Sequence, residues 1–213
     1  MDSLKRHTDY GSQDFTEDTV LPDPFAQFAA WLADAEAEEV FEPNAMILGT
    51  IDPDNRPSSR TVLLKGLSAE GFEFVTNYDS RKARALVAHA DVTLLFPWYA
   101  LKRQVIVHGS AHRLSAAESD AYWNRRPQGA QLASAASKQS QPVASRAELD
   151  AALTALEAQY PEGATVPRPE NWGAYRVVPR VIEFWAGRSR RFHDRLVFTR
   201  GADDSWAITR LQP

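Results

Sequence analysis

The stretch AMILGTIDPDNRPSSRTVLLK, residues 45–65, decides the fold class of this chain. Two runs rich in aliphatic and β-branched residues, 45–51 and 58–65, flank the turn sequence Asp52-Pro53-Asp54-Asn55. Asp, Pro and Asn are typical of turns, and apolar runs of this length are typical of strands. Because so short a connection joins antiparallel neighbours, the stretch predicts a β-hairpin.

The same succession of strand-forming runs and turns continues along the chain. Further strands are predicted at 72–76, 92–96, 104–114, 175–178, 181–186, 195–200 and 206–211, with Pro97 in a loop. Helices are predicted at about 24–40, 81–89 and 116–125 and from 146 onward, after the capping residues Asp23, Ser80, Ser115 and Ser145. The short connections favour a mainly β fold with peripheral helices (α+β), built on an antiparallel sheet or barrel. Residues 1–20 lack periodicity and are predicted to be a mobile arm before a single domain at 21–213.

The composition excludes several classes of protein. The chain has 213 residues, a net charge of −4 and no cysteine. This charge gives no reason to expect nucleic acid or an anionic membrane as a partner. The missing cysteines exclude disulfides, zinc–thiolate sites and thiol catalysis. With no signal sequence and no run of ~20 apolar residues, a cytoplasmic location is expected.

Nucleotide and metal motifs are also missing from the sequence. No G-x-G-x-x-G follows a strand and no Walker A loop is present, which argues against a dinucleotide or NTPase site. His108 and His112 are four residues apart, but they fall on a predicted strand and lack the intervening Glu of a helical zinc motif. No metal site is therefore predicted.

Clusters of cationic residues indicate anion binding. Arg60 and Lys65 are five apart on a predicted strand, so they are expected on opposite faces, each with its own anion. Ser80-Arg81-Lys82 lies at a helix N-terminus, where free N–H groups and the helix dipole favour a phosphate. Tyr122 and Arg126 share one face of a helix and together suit a phosphate. In each case the alternative is an ordinary solvated surface group.

The segment from Trp185 to Arg195 contains the highest density of cationic and aromatic side chains in the sequence. Arg191, His193 and Arg195 alternate, so on a strand all three would face one way. Three such groups repel one another unless an anion or carboxylate lies among them. A nucleic-acid patch is the alternative interpretation, which the acidic chain disfavours.

Several separated motifs, read in order, resemble pyridoxamine 5′-phosphate oxidase. The similarity runs from about Asp23 to Pro213 and leaves only the N-terminal arm outside it. The motifs are Arg60-Thr-Val-Leu-Leu-Lys65, Asn77-Tyr-Asp-Ser-Arg-Lys82, Leu95-Phe-Pro-Trp98 with Arg103-Gln104, Arg126-Pro127, Ser137-Lys-Gln-Ser140, Asn171-Trp-Gly-Ala-Tyr-Arg176, and Ile182-Glu-Phe-Trp185 through His193-Asp-Arg195. The resemblance implies a split β-barrel homodimer with FMN held between the subunits.

The resemblance also implies a role for individual residues. FMN would be held by Arg60, Lys65, Val75, Thr76, Arg81, Lys82, Gln104, Gln139, Ser140, Trp185 and Arg195. The substrate phosphate would be bound by Lys65, Tyr122 and Arg126, so Lys65 borders both ligands. Arg191 and His193 would lie over the substrate ring as the catalytic residues.

Three positions depart from the family's pattern. Ala130 stands where the family often has a Ser that binds the substrate phosphate, which removes one hydrogen bond worth about 1 kcal/mol. Ala133-Ser134-Ala135 replaces the usual Gly-Ala-Trp. Arg6 and Tyr10 are candidates for a lid that the arm forms in some members, but their spacing does not match cleanly.

The activity implied by the resemblance is oxidation of pyridoxine 5′-phosphate or pyridoxamine 5′-phosphate to pyridoxal 5′-phosphate, with O2 as acceptor and H2O2 as product. Two alternatives share the barrel: a phenazine-pathway oxidase and a deazaflavin-dependent reductase. Lys65, Tyr122 and Arg126 favour a phosphorylated substrate over both, although fold alone does not fix function. A third alternative is a non-catalytic protein that sequesters FMN or pyridoxal phosphate, which would not need Arg191 and His193.

Overall fold

The computed structural model describes residues 3–5, 8–11 and 15–213. Within these ranges, nine β-strands form one sheet and five α-helices lie around it. The strands are β1 (Ala45–Ile51), β2 (Pro57–Leu63), β3 (Gly66–Ser68), β4 (Gly71–Asn77), β5 (Asp91–Trp98), β6 (Arg103–Arg113), β7 (Trp172–Ala186), β8 (Asp194–Arg200) and β9 (Trp206–Arg210). The helices are α1 (Pro24–Ala37), α2 (Arg81–Ala88), α3 (Ala116–Asn124), α4 (Gln128–Ala136) and α5 (Arg146–Gln159).

The sheet is antiparallel at each of its pairings, as the sequence predicts. Its order is β2-β1-β5-β6-β7-β4-β3, and β8 and β9 continue from β7. One edge of β7 pairs with β6, whereas the other pairs first with β4, at residues 172–177, and then with β8, at residues 181–186. The sheet therefore divides at the middle of β7 and curls into a split half-barrel.

Aromatic side chains and α1 fill the concave side of this sheet. β5 alternates between buried and half-buried residues, which directs Leu94, Phe96 and Trp98 inward. Phe28 of α1 inserts among them, with ring centroids 4.7 Å from Phe96 and 5.5 Å from Trp98. A smaller cluster, made of Trp123, Leu132, Val166 and Trp172, packs beneath α3 and α4.

The predicted helix starts are confirmed by their caps. The Asp23 side chain accepts hydrogen bonds from the backbone N–H groups of Phe25 and Ala26, and Pro24 occupies the first turn. Ser80 caps α2, Ser115 forms a full capping box with Glu118 on α3, and Ser145 caps α5. The first helix ends at Ala37, three residues before the predicted end.

Two prolines lie inside strands, where the sequence predicts loops. Pro97 belongs to β5, which pairs with β1 only as far as Leu95, so a residue without an N–H is tolerated there. Pro179 lies within β7, which was predicted as two strands. The register with β6 shifts between His108 and Gly109, and this bulge accommodates the proline without ending the strand.

The predicted strand at 58–65 and the region after Arg126 also differ from expectation. β2 ends at Leu63, and Lys65 lies at the corner before β3, so the period-two argument does not extend to Lys65. Arg60 and Lys65 line the same cleft, so the prediction that they lie on opposite faces is wrong.

Helix α4 is not predicted by the sequence, because QGAQLASAA buries only Gln131 and Leu132 and carries no apolar stripe.

Candidate active site

A basic cleft of about 330 Å³ opens beside β2, β4 and the start of α2. Its wall contains four cationic side chains: Arg60, Lys65, Lys82 and Arg126. The remaining lining residues are Thr61, Val62, Leu63, Val75, Thr76, Asn77, Ser134, Ser137, Gln139 and Trp172. The structure thus brings together most of the residues predicted to lie near the FMN phosphate: Arg60, Lys82 and Gln139.

Lys82 lines this cleft and contacts other residues of its wall. Its Nζ donates hydrogen bonds to Gln139 Oε1 at 2.7 Å and to Thr76 Oγ1 at 3.2 Å. Partial burial, together with the nearby charge of Arg60, lowers the pKa of Lys82 to about 8. An anion bound here would relieve both causes, so the environment of Lys82 favours an anionic ligand.

Five residues predicted to contact FMN lie outside the cleft wall: Arg81, Ser140, Gln104, Trp185 and Arg195. Arg81 is ion-paired with the buried carboxylate of Asp52, to which its Nε donates at 2.9 Å. Ser140 is exposed and has a left-handed φ of 69° directly after Gln139. Val75 and Thr76 do line the cleft, as expected.

A second pocket, of about 460 Å³, adjoins the first and shares Lys65, Arg126 and Trp172 with it. Tyr122 and Ala130 belong to this second pocket alone. Lys65, Tyr122 and Arg126, the three predicted ligands of the substrate phosphate, therefore meet in one place.

Arg126 has unused hydrogen-bonding capacity in this second pocket. Its guanidinium lies 5.1 Å from the centroid of the Trp172 ring, and its Nε is buried without a hydrogen-bond partner. Burial lowers the pKa of Arg126. A buried donor without a partner is costly, so an acceptor in the pocket would stabilise Arg126.

Ser134 supplies a hydroxyl near the position that Ala130 leaves without one. Arg126 Nη2 donates to Ser134 Oγ at 3.0 Å and to the Ala130 carbonyl at 3.2 Å. Ser134 follows Ala130 by four residues on α4, about one helical turn. This contact has no signal in the sequence, because the residues of α4 carry no apolar stripe that predicts a helix.

Tyr122 is positioned by a network of hydrogen bonds and ion pairs that the sequence does not predict. Its hydroxyl donates a hydrogen bond to Glu73 Oε2. Arg176 Nε donates to Glu73 Oε1 at 2.8 Å, and Arg176 also pairs with Glu70 and Glu118. Burial and the Glu73 carboxylate raise the pKa of Tyr122 to about 12, so the phenol keeps its proton.

A second group of predicted residues, Gln104, Trp185, His193 and Arg195, lies near the C-terminal end of β7. Gln104 and Arg195 flank Trp185 on the neighbouring strands, and the His193 ring lies 4.6 Å from the Trp185 ring. Arg195 is paired with Glu183 through two hydrogen bonds, of 2.8 and 3.0 Å. A carboxylate thus lies among the cationic residues of this segment.

The backbone fixes the tautomer of His193. The N–H of Arg188 donates to His193 Nδ1 at 3.0 Å, which leaves the ring proton on Nε2. Burial, and then the charge of Arg191, lowers the pKa of His193, so the imidazole is neutral near pH 7.

Of Arg191, His193 and Arg195, only Arg195 lies on a strand. Arg191 ends a short 3-10 turn, Ser189–Arg191, with a left-handed φ of 60°, and β8 begins only at Asp194. The prediction that the three side chains alternate on one strand is therefore wrong. The strand-breaking conformations of Arg190 and Arg191 are the physical reason.

Part of the N-terminal arm covers this second group. The Tyr10 ring lies edge-on to Trp185 and His193, at 5.9 and 5.5 Å between centroids. The N–H of Ser189 donates to the Gly11 carbonyl at 2.7 Å, and Lys102 Nζ donates to the Tyr10 carbonyl at 3.0 Å. Arg6, the other lid candidate, lies outside the described residues.

The two groups lie at opposite ends of one strand. Trp172, which lines both pockets, begins β7, whereas Trp185 lies at its penultimate position. At ~3.3 Å per residue, roughly 40 Å of extended chain separates them. Neither of the two pockets is lined by Gln104, Trp185, His193 or Arg195 of the same chain.

Metal and membrane features are not found in the part of the chain that the structure describes. No group of three or more His, Asp or Glu side chains is arranged there to hold a metal ion. No helix among the same residues has the length and apolar character required to cross a bilayer.

Comparison with known proteins identifies the family. A family profile described as "Pyridoxamine 5'-phosphate oxidase" matches residues 32–160, and one described as "Pyridoxine 5'-phosphate oxidase C-terminal dimerisation region" matches residues 172–213. The chain is 49% identical to a pyridoxine/pyridoxamine 5′-phosphate oxidase of Streptomyces avermitilis, covering 99% of this chain and 95% of the relative. It is 52% identical to the enzyme of the same name from Thermobifida fusca, with coverage of 91% and 90%.

Solved structures support the fold. The crystal structure of PhzG from Burkholderia lata 383, in complex with tetrahydrophenazine-1-carboxylic acid, is 34% identical with a TM-score of 0.89, covering 96% of this chain and 100% of that chain. A pyridoxamine 5′-phosphate oxidase-related, FMN-binding protein from Nostoc punctiforme has a TM-score of 0.73 at 16% identity, over 90% of this chain and 98% of that one. The chain therefore belongs to the pyridoxamine 5′-phosphate oxidase family, a family of FMN-binding oxidoreductases.

Proposed function

We propose that this protein oxidises pyridoxine 5′-phosphate or pyridoxamine 5′-phosphate to pyridoxal 5′-phosphate as an FMN-dependent homodimer. The observation that carries the proposal is the pair of adjoining pockets, which share Lys65 and Arg126. One pocket suits the phosphate of the cofactor, and the other suits the phosphate of the substrate. Relatives about half identical over nearly the full length bear the name of this activity.

The residues of the first pocket fit FMN. Lys82 and Arg60 supply positive charge, and Gln139 and Thr76 supply polar groups beside them. The geometry supports this fit, because the Lys82 ammonium has the neutral partners Gln139 and Thr76 and shares the cleft with Arg60, so a phosphate would supply the balancing negative charge. When bound, FMN supplies the two-electron acceptor that is reoxidised by O2, giving H2O2.

The second pocket fits a substrate phosphate. Lys65 offers an ammonium, Arg126 offers a guanidinium with a buried unpaired Nε, and Tyr122 offers a hydroxyl. Ser134, which lines the adjoining first pocket, accepts a hydrogen bond from Arg126 and so orients the guanidinium. A planar fork together with point donors holds a phosphate in a defined orientation. Binding the phosphate here would orient the substrate ring for reaction.

A homodimer would complete the site. Gln104, Trp185, His193 and Arg195 of a second copy would reach the pockets that the same residues of the first copy cannot. The residues matching a dimerisation region, 172–213, include three of these four. The outer face of the sheet also carries half-buried apolar side chains on three adjacent strands, Ile47, Leu95 and Ile106, and Val197 follows beyond Glu183 of β7. Such a face is suited to packing against its own copy.

His193 and Arg191 would then act on the substrate ring. Because His193 Nδ1 accepts the Arg188 N–H, the ring presents a donor at Nε2. The Nε2–H of His193 therefore donates a hydrogen bond that fixes a substrate oxygen or nitrogen, while Arg191 adds positive charge. Burial of the site by the partner and by Tyr10 would exclude water.

The direct test is oxidation of pyridoxine 5′-phosphate by purified protein under air. O2 uptake and formation of the aldehyde are followed with and without added FMN. Coupled, FMN-dependent O2 uptake and aldehyde formation would support the proposal. Unphosphorylated pyridoxine is the control, and it should react poorly if the second pocket binds phosphate.

A phenazine-pathway oxidation is the second candidate, favoured by the 34% identity to PhzG. Its carboxylic acid ligand also carries an anionic group, which Arg126 could bind. The same O2-uptake assay with tetrahydrophenazine-1-carboxylic acid separates the two candidates. Turnover of that compound without turnover of pyridoxine 5′-phosphate would move the function to this sister reaction.

A further inference from the structure

The hydroxyl of Tyr122 already donates its hydrogen bond to a side chain of the protein. Tyr122 lies on α3 and lines the second pocket, and its hydroxyl donates to Glu73, a residue of β4 that is only 8% exposed. A phenol carries a single proton for donation. A phosphate in the pocket and the Glu73 carboxylate would therefore compete for the same proton.

The fold makes room for this Tyr122–Glu73 contact. Gly66 of β3 pairs with Glu73, and a Cβ at Gly66 would lie 2.3 Å from the Tyr122 hydroxyl oxygen and 2.6 Å from Glu73 Oε2. Any other residue at this position would force the hydroxyl and the carboxylate to move. Three separate segments thus accommodate one hydrogen bond.

Glu73 is also held in place. Arg176 binds the other carboxylate oxygen, Oε1, at 2.8 Å, which leaves Oε2 for Tyr122. Arg176 has Glu70 and Glu118 as further partners, so this one cation serves three carboxylates directly behind the pocket. The carboxylate therefore stays aimed at Tyr122.

We propose that Glu73 limits the affinity of the substrate-phosphate pocket by competing with the phosphate for the hydroxyl proton of Tyr122. This inference rests on the proposed function, which assigns the substrate phosphate to Tyr122. Lys65 and Arg126 attract the phosphate at full strength, whereas Tyr122 contributes only after it leaves Glu73. Glu73 is thus a residue that sets affinity without touching the substrate.

The substitution Glu73→Gln tests the competition. A glutamine amide can donate to the Tyr122 oxygen, which frees the hydroxyl proton for the phosphate, and it removes one negative charge. We expect the KM for pyridoxine 5′-phosphate to fall about three- to tenfold, the size of one hydrogen bond, with the effect on KM rather than on kcat.

A binding measurement keeps this test independent of turnover. The ligand is 4-deoxypyridoxine 5′-phosphate, which lacks the oxidisable hydroxyl, titrated into FMN-loaded protein and followed by flavin absorbance. Its Kd should fall by the same factor in Glu73→Gln. Glu70→Gln is the matched control, because it removes a carboxylate from the same Arg176 group without contacting Tyr122, and its Kd should equal that of the wild type.

The double variant Tyr122→Phe/Glu73→Gln isolates the proton from general charge effects. Compared with Tyr122→Phe alone, it should show no gain in affinity. A persistent gain would assign the effect to charge, and an unchanged or weaker Kd in Glu73→Gln would give Glu73 a supporting role; either result overturns the proposal. If Glu73→Gln does not fold, Glu73→Asp keeps the charge for Arg176 but withdraws it from Tyr122, and it should also bind more tightly.

Failure of the proposed function would give a different result. A wild-type protein that oxidises no pyridoxine 5′-phosphate, but whose analogue binds more tightly after Glu73→Gln, would remove the reaction and keep this inference. If neither protein binds the analogue, the phosphate pocket itself is wrong and both proposals are overturned.

Discussion

Lys82 is a cationic side chain whose surroundings suit an anionic ligand. Its ammonium is partly buried beside Arg60 and hydrogen-bonded to Gln139 and Thr76. Neither neighbouring partner is an anion, so the charge is uncompensated within the cleft. A phosphate is the group that would balance it.

FMN affinity should therefore depend on pH above about 8. In the cofactor-free protein the pKa of Lys82 is lowered to about 8, so the side chain is neutral at higher pH, whereas a bound phosphate would restore the charged form. Binding then takes up a proton, and affinity should fall as pH rises through this range, by at most about tenfold per unit.

Quenching of FMN fluorescence at pH 7 to 10 measures this dependence. Lys82→Arg is the control, because an arginine stays protonated and the slope should flatten. A wild-type affinity that does not change between pH 8 and 10 would contradict the role of Lys82.

Ser134 is a second residue whose role can be tested alone. Ser134→Ala removes the hydroxyl that Arg126 holds at 3.0 Å, and should raise the KM for pyridoxine 5′-phosphate about three- to tenfold. Adding Ala130→Ser to this variant would place a hydroxyl one turn earlier on α4 and should recover most of the loss. Steady-state kinetics decide this, and an unchanged KM in Ser134→Ala would exclude compensation by Ser134.

These residues also show the limits of prediction from sequence. Lys65, Lys82, Tyr122 and Arg126 were found because they lie in motifs. Glu73 was missed because its role arises only when β4 packs next to α3, a contact between distant segments that no local pattern encodes.

Among the elements, those with local signals were predicted best. The hairpin of β1 and β2 carries its own turn, and α1, α2, α3 and α5 carry their own caps. The continuity of β7 through Pro179 has no such signal, because it depends on a bulge formed with β6. Helix α4 depends on packing beside α3 and α5 rather than on its own periodicity.

The bulge in β7 requires a glycine on the facing strand. A Cβ at Gly109 would lie 2.3 Å from the Val178 carbonyl oxygen, a backbone atom that cannot move aside easily. Gly109→Ala should reduce the free energy of unfolding by about 1–3 kcal/mol. Gly129→Ala is the matched control, because nothing lies within 4 Å of its Cβ position and α4 gains a better helix former, so stability should rise slightly.

Thermal unfolding of both variants measures the effect. A Gly109→Ala protein as stable as the wild type would mean that β6 and β7 can separate at the bulge without cost.

At the scale of the whole molecule, β7 is both the longest strand and the link between two functional ends. It carries Trp172 of the phosphate pockets at its start and Trp185 at its end. The split of the sheet at its middle places the C-terminal strands β8 and β9 on the far half, within the region matching a dimerisation profile. In the proposed arrangement one polypeptide contributes two unlike half-sites, and a symmetric dimer would form two whole sites from four halves.

Mixed dimers test this arrangement. Arg126→Ala disables one half-site and His193→Ala disables the other, so each variant alone should be nearly inactive. Co-expressed in equal amounts, they should regain about a quarter of the wild-type sites, because half of the dimers are hybrids with one intact site each. Co-expression of Arg126→Ala with Lys65→Ala, which lie in the same half, should regain nothing, and recovery in that pair would contradict the shared site.

The placement of the half-sites at the two ends of β7 has a consequence for heredity. Two defective alleles of this gene should complement each other when their lesions fall on opposite ends of the strand, and fail to do so when they fall on the same end. A cell carrying both kinds of allele would regain an enzymatic activity that each parent strain lacks. Lesions at the two ends of β7 would then form two complementation groups within one gene.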